Sequence, residues 1–143
     1  MKIFIICSKK FYPRIKEIKQ HLEDNGIEVF LPNCYDKPNT EAEMWSLGNQ
    51  AHQEFKAKMY KQSESVISQM DAVLVLNFDK ETESGTLKNY IGGATFLEMY
   101  DAFRLGKTIY MYNDIPKGLL FDEIQGFGPI IINQDISKIK QSI

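Results

Sequence analysis

What the chain lacks removes several chemistries at once. Its 143 residues hold two cysteines and two histidines, and neither pair falls into a metal-ligand spacing. There is no GxxxxGK[ST] phosphate loop, no GxGxxG after the first apolar run and no GxSxG nucleophile elbow. No apolar run reaches the roughly 20 residues that span a bilayer. The net charge of −2 carries no basic excess that would draw nucleic acid or an anionic membrane. The opening residues, MKIFIIC, are too short and too poorly flanked to read as an export signal. Cys7 and Cys34 are therefore expected as free thiols, and the protein as cytoplasmic, with no metal or cofactor.

What is present is an ordinary core-forming composition, 43% hydrophobic and 25% charged, in a chain long enough for one domain over residues 1–143. Lys2–Cys7 reads as a buried strand. Pro13 suits the first position of a helix whose apolar residues, Ile15, Ile18 and Leu22, recur at helical spacing until Asn25-Gly26 ends it. Ile27–Leu31 is a second strand, and a strand-helix-strand unit implies parallel pairing. Thr40 with Glu43 reads as a capping box opening a long helix or two, broken at Gly48. His21 and His52 fall on polar helix faces, and Trp45 reads as a packing residue.

Asp71–Asn77, DAVLVLN, is the strongest strand, and its unbroken apolar run fits the centre of a parallel sheet covered on both faces. Phe78–Tyr90 reads as a polar loop. The Gly92-Gly93 pair opens a helix that stops at Gly106 and gives way to a strand, Thr108–Tyr112. Lys117–Ile124 holds a helical turn, Ile130–Asn133 a last strand, and Asp135 caps a short terminal helix. The sum is a three-layer α/β sandwich, flavodoxin-like, with five parallel strands in the order 2-1-3-4-5.

In such sheets ligands bind outside the carboxyl ends of the strands, at the switch point of the strand order. The segments there are Ser8–Tyr12, which contains Phe11, then Asn77–Gly93 and Asn113–Pro116. Glu98 lies near the start of its helix, on a face shared with Ala94, Asp101, Ala102 and Leu105. That places Glu98, the glycine pair, Ser8, Asn77 and Asp79 around one crevice. The helix start and neighbouring amides are expected to keep Glu98 ionised there. Two readings of the acid stand side by side: a structural carboxylate that finds a partner, or a functional group exposed to a ligand. A lone buried carboxylate among hydroxyls and amides suits glycosyl chemistry, because it can attack an anomeric carbon and hold the sugar as an ester.

The strand DAVLVLN, the acidic loop after it and the run GGATFLEMYDAFRLGKTIYMYN together resemble the nucleoside 2-deoxyribosyltransferase superfamily, which includes the 2′-deoxynucleoside 5′-phosphate N-hydrolases. The specific part of the likeness covers residues 71 to 113, with Cys7-Ser8 in the place of a Gly-Ser turn after the first strand. The resemblance implies the fold above, a homodimer or larger oligomer, and Glu98 as nucleophile on C1′ of a nucleoside or nucleotide. It also implies that Ser8, Asn77 and the turn containing Gly92, Gly93 and Thr95 contact sugar or phosphate. Phe11, Asp79 and Asn113 complete the candidate contacts at the same sheet edge. Where those enzymes carry an Asp on the helix before the DAVLVLN strand, this chain has Ser63-Glu64-Ser65. The altered partner keeps a second reading in play, a non-catalytic nucleotide or nucleotide-sugar binding module on the same scaffold. The oligomer contact is expected along Thr40–Met70 and the helix of Glu98, where aromatic and Met residues are numerous.

Overall fold

The computed structural model describes residues 1–139, so the last four residues of the single domain read from the sequence lie outside the described residues. Five strands form one parallel sheet, beginning with β1 (Lys2–Ile6), β2 (Glu28–Phe30) and β3 (Ala72–Val75) and closed by two later strands. Between them lies a separate two-stranded antiparallel ribbon, β4 (Lys80–Thr82) with β5 (Gly85–Leu87). β6 (Thr108–Met111) and β7 (Ile130–Ile131) complete the sheet in the order β2-β1-β3-β6-β7. Once the ribbon is set aside, this is the flavodoxin-like order 2-1-3-4-5, with the DAVLVLN strand in the centre.

The period-two alternation of the central strands divides the core in two. Ile3 and Ile5 of β1 and Ala72 and Leu74 of β3 face one side, where they meet Ile15, Ile18 and Leu22 of helix α1 (Ile15–Asp24). Phe4 and Ile6 with Val73 and Val75 face the other. There they meet Ile67 of α3 (Asn49–Ser68), Met99 and Ala102 of α4 (Gly93–Arg104) and Ile124 of α5 (Phe121–Gly126). A strand buried on both faces must be apolar at every position, which is why β3 reads as a continuous run.

Three local expectations change. Pro13 does not open α1. It sits inside a 3-10 turn, Lys9–Arg14, whose start is fixed by the Phe11 amide donating to the Ser8 carbonyl, and α1 begins two residues later. Thr40 is the first residue of α2 (Thr40–Ser46) rather than its cap, and its hydroxyl donates backward to the Lys37 carbonyl, so no capping box forms. The polar stretch 78–90 folds back on itself, with Thr86 donating to both oxygens of Glu81 across the ribbon at 2.8 and 3.0 Å. A ribbon exposed on both faces needs no apolar alternation, so its sequence resembles a loop.

Two other expectations hold. α2 and α3 are separate, joined at Gly48, whose φ of 114° an L side chain would strain to adopt. The Asp135 carboxylate caps the short terminal turn by accepting from the Ser137 amide at 3.0 Å. Both cysteines are free, and no described helix is long and apolar enough to cross a membrane.

Candidate functional site

At the carboxyl edge of the sheet a pocket of about 300 Å³ opens between the end of β1, the loop after β2, one face of α3 and the start of α4. β1 delivers Cys7 and Ser8, and the 3-10 turn delivers Tyr12. The loop after β2 supplies Asn33 and Cys34, the latter at a left-handed φ of 62°. α3 contributes Lys56, Met59 and Ser63 at helical spacing, and α4 contributes Gly92 to Thr95 and Glu98. Gly93 has nothing within 4 Å of where a side chain would begin, so the helix start meets the pocket with bare backbone. Gly92 is crowded instead by Tyr90, whose hydroxyl lies 3.2 Å from that position.

Glu98 ends a chain of hydrogen bonds at the pocket. Its Oε2 accepts from the Ser63 hydroxyl at 2.9 Å. Ser63 in turn accepts from Asn33 Nδ2 at 2.6 Å, and Asn33 Oδ1 accepts from Gln62 Nε2 at 3.1 Å. Every link donates toward the carboxylate. Because the Ser63 oxygen already accepts from Asn33, its single hydrogen is committed to Glu98. Oε1 forms no hydrogen bond with the described residues, and no buried side-chain oxygen or nitrogen among them is left unpaired. Oε1 is therefore the oxygen that opens to the pocket.

The surroundings hold this acid near its midpoint at neutral pH. Burial pushes its pKa up to about 7, with the Asp101 charge adding, while the Ser63 hydrogen bond and the Lys56 ammonium oppose. This corrects the expectation of full ionisation. Glu98 is the sixth residue of α4, and its carboxylate accepts from a serine rather than from the free amides of the helix start. The neighbouring groups are protonated. Burial, reinforced by Glu98, pushes the Cys7 thiol up to about 12, which removes it as a nucleophile. Burial likewise raises Tyr12, whose hydroxyl donates to the Asn33 carbonyl at 3.3 Å.

The opposite rim is ionic. Glu41 of α2 meets His52 Nε2 at 3.1 Å and Lys56 Nζ at 3.7 Å. Against the raising effect of its partial burial, the His52 hydrogen bond and the Lys56 and Lys9 charges hold Glu41 below the usual carboxylate range. Trp45 is not a core residue. It is 53% exposed and stacks on the His52 ring at 3.7 Å. Among the described residues, no three His, Cys, Asp or Glu side chains come together in a way that could hold a metal ion.

Of the residues singled out from the sequence, Ser8, Gly92, Gly93, Thr95 and Glu98 meet at this pocket, and four do not. Asn77 is fully buried and turned along the sheet edge: its Nδ2 donates to the carbonyls of Asn113 and Asp114, and its Oδ1 accepts from the Asn113 amide. It pins the exit of β6 to the exit of β3. Phe11 is buried against Phe78 and Tyr90 in an aromatic cluster. Asp79 and Asn113 line a second, wider depression on the α1 side of the sheet. One crevice on paper is thus two in space, because the aromatic cluster rises between the segments that leave β1 and β3.

Sequence reasoning missed Asn33, Lys56 and Ser63 as site residues. Ser63 carried a signal: the apolar stripe through Phe55 and Met59 reaches a serine at the next i+4 position, and Ser63 is 4% exposed. Glu64, the nearest acid in the chain, points away and pairs with Arg104 at 3.1 Å.

No family model matches the chain, and no curated protein matches it by sequence. Solved structures do match. A 2-deoxyribosyltransferase from Bacillus psychrosaccharolyticus superposes with a TM-score of 0.59 at 17% identity, over 100% of both chains. The CMP N-glycosidase BcmB of Clostridium botulinum superposes with a TM-score of 0.50 at 15% identity, covering 93% of this chain and 90% of that one. The chain shares the fold of these two proteins, the fold that the resemblance over residues 71 to 113 implied.

Proposed function

We propose that the protein cleaves or transfers at the N-glycosidic bond of a nucleoside or nucleotide, with Glu98 as the nucleophile. The observation that carries this reading is the division of labour between the two oxygens of Glu98: Oε2 is fixed by Ser63, and Oε1 is free toward the pocket. A carboxylate held by one oxygen presents the other in a set direction, the condition for attack on an anomeric carbon. The two solved structures described above are named for chemistry at a bond of this kind, which agrees with the reading.

In the first half-reaction Oε1 forms a bond to C1′ while the C1′–N bond breaks, and its electron pair leaves with the base. The base takes a proton from a donor at the pocket, of which Tyr12, Lys9 and Lys56 are the candidates. In the second half-reaction a water oxygen, or a nitrogen of a second base, attacks C1′ and returns the electron pair to Glu98, losing its proton to solvent. With a pKa of about 7, Glu98 is sufficiently ionised at neutral pH to attack.

The competing reading, a binding module without turnover, is favoured by one observation. The position facing Glu98 from α3 is a serine, where the resembling enzymes carry an aspartate. Incubation with a panel of nucleosides, 5′-ribonucleotides and 5′-deoxynucleotides, followed by chromatography of free base, separates the two. Base release from wild type, lost by several powers of ten in Glu98→Gln, supports catalysis. Release that survives Glu98→Gln within about tenfold removes Glu98 as nucleophile. Binding without release supports the module.

A further inference from the structure

The second depression, about 930 Å³, lies over the carboxyl ends of β3, β6 and β7, across the Phe11–Phe78–Tyr90 cluster from Glu98. Its charged residues are divided between the committed and the free. Asp79 Oδ1 accepts from the Asn89 amide at 2.9 Å, and Asp114 Oδ1 accepts from the Ile115 amide at 2.8 Å, so each acid is oriented by its own turn while keeping its charge, and the three cations of the lining exceed the two acids. Arg14, Lys88 and Lys117 line the same space, and none of them has an ion-pair or hydrogen-bond partner among the described residues. The Arg14 guanidinium lies 3.7 Å from the centre of the Phe78 ring. A guanidinium held over an aromatic ring still has N–H donors for phosphate oxygens, because the ring contact uses none of them as a hydrogen bond.

The backbone of the rim is unusual in the same place. Four non-glycine residues among those described have left-handed backbone, and three of them, Asn89, Asn133 and Gln134, line this depression at φ values of 53°, 49° and 65°. Such backbone is uncommon outside glycine and persists where the surroundings fix it. The side-chain amides of Asn89 and Asn133 have no hydrogen-bond partner among the described residues. Gln134 commits only its nitrogen, which donates to Asn113 Oδ1 at 2.8 Å. Arg14, Lys88 and Lys117 thus line one depression with the unpaired carboxamides of Asn89 and Asn133 and the carboxamide oxygen of Gln134.

We propose that this depression is a second ligand site, distinct from the Glu98 pocket, that takes a small phosphorylated polyol of the sugar-phosphate class. The phosphate meets Arg14, Lys88 and Lys117, and the hydroxyls meet the carboxamides of Asn89, Asn133 and Gln134. A bare inorganic anion would use the cations and leave the carboxamides unpaired. The proposal does not depend on the reaction assigned to Glu98.

The test is a titration of the ¹⁵N-labelled protein with inorganic phosphate, ribose and ribose 5-phosphate, read by amide shifts. The expected result is saturable movement of the Lys88, Asn89, Lys117 and Gln134 amides with ribose 5-phosphate. Its affinity should be at least tenfold tighter than that of phosphate, with no response to ribose. Lys117→Gln, in an exposed loop, should weaken binding at least fivefold without moving the melting temperature. Arg14→Gln should weaken it further, and if the loss of packing on Phe78 unfolds that variant, Lys117→Gln decides alone. Shifts confined to Ser8, Gly93 and Lys56 would assign the ligand to the Glu98 pocket and overturn the proposal. Non-saturating shifts would overturn it as well. Phosphate binding as tightly as ribose 5-phosphate would reduce the site to an anion contact and overturn the polyol part.

Discussion

Replacing Glu98 by glutamine should make the protein more stable, and by an amount that depends on pH. Burial raises the folded-state pKa of Glu98 from an ordinary 4.5 to about 7. Below pH 4.5 the group is protonated in both the folded and the unfolded chain, and its burial carries no ionisation cost. Between pH 4.5 and 7 the unfolded chain releases the proton while the folded protein retains it, so stability falls as pH rises. Above pH 7 the loss is complete, and a difference of this size corresponds to about 3 kcal/mol. The residue keeps partial exposure toward the pocket, which makes that figure a ceiling and about 1–3 kcal/mol the expected range.

Glutamine matches the shape, and its carbonyl can accept the Ser63 hydroxyl as Oε2 does. Urea unfolding followed by far-UV circular dichroism, at intervals from pH 4.5 to 8, measures the difference directly. The two proteins should agree at pH 4.5, apart from any fixed cost of the amide. The variant should then gain steadily and level off near pH 8, several degrees higher in melting temperature. A gap independent of pH, or a variant less stable at pH 8, would refute the account of Glu98 as a desolvated acid.

The same group sets the pH dependence of turnover. If the carboxylate attacks, kcat should fall as pH drops through about 7, and Ser63→Ala should move that limb to higher pH by removing the hydrogen bond that favours ionisation. Asn77→Ala should cost about 3 kcal/mol in urea unfolding, because three hydrogen bonds that tie β3 to the exit of β6 are lost. A large activity loss with unchanged stability would instead make Asn77 a substrate contact. Tyr60, Leu97, Tyr100 and Phe103 of α3 and α4 are exposed large apolar side chains, and we expect a dimer or larger assembly at tens of micromolar by sedimentation. A monomer at that concentration would oppose it.

The parallel sheet was legible because parallel strands are apolar on both faces. Ile3–Ile6 and Ala72–Val75 are short unbroken apolar runs with turn residues beside them, and the helices between the strands fixed the handed crossovers. Glu98 was legible for a related reason, as a charge on a stripe of small residues. What the chain concealed depended on direction. Whether Asn77 turns toward a ligand or along the sheet edge is decided by Asn113 and Asp114, more than thirty residues away. The split into two depressions depends on how Phe11, Phe78 and Tyr90 meet, and no spacing rule contains that. Asn33 reached the site through a partner, Ser63, on a distant helix.

α2 has no buried residue. Its hold on the rest of the molecule includes the Glu41 contacts to His52 and Lys56 and the Trp45–His52 stack, and Glu41 lines the Glu98 pocket. Contacts of that kind contribute little cooperativity with the sheet, so α2 can come loose while β1 and β3 remain intact. Its amides should exchange with solvent deuterium orders of magnitude faster than those of the central strands, and faster still at high ionic strength, where screening weakens the Glu41 pairs. The pocket thus joins a floor tied into the sheet to a rim residue, Glu41, on a seven-residue helix, Thr40–Ser46, that should open locally before the sheet does.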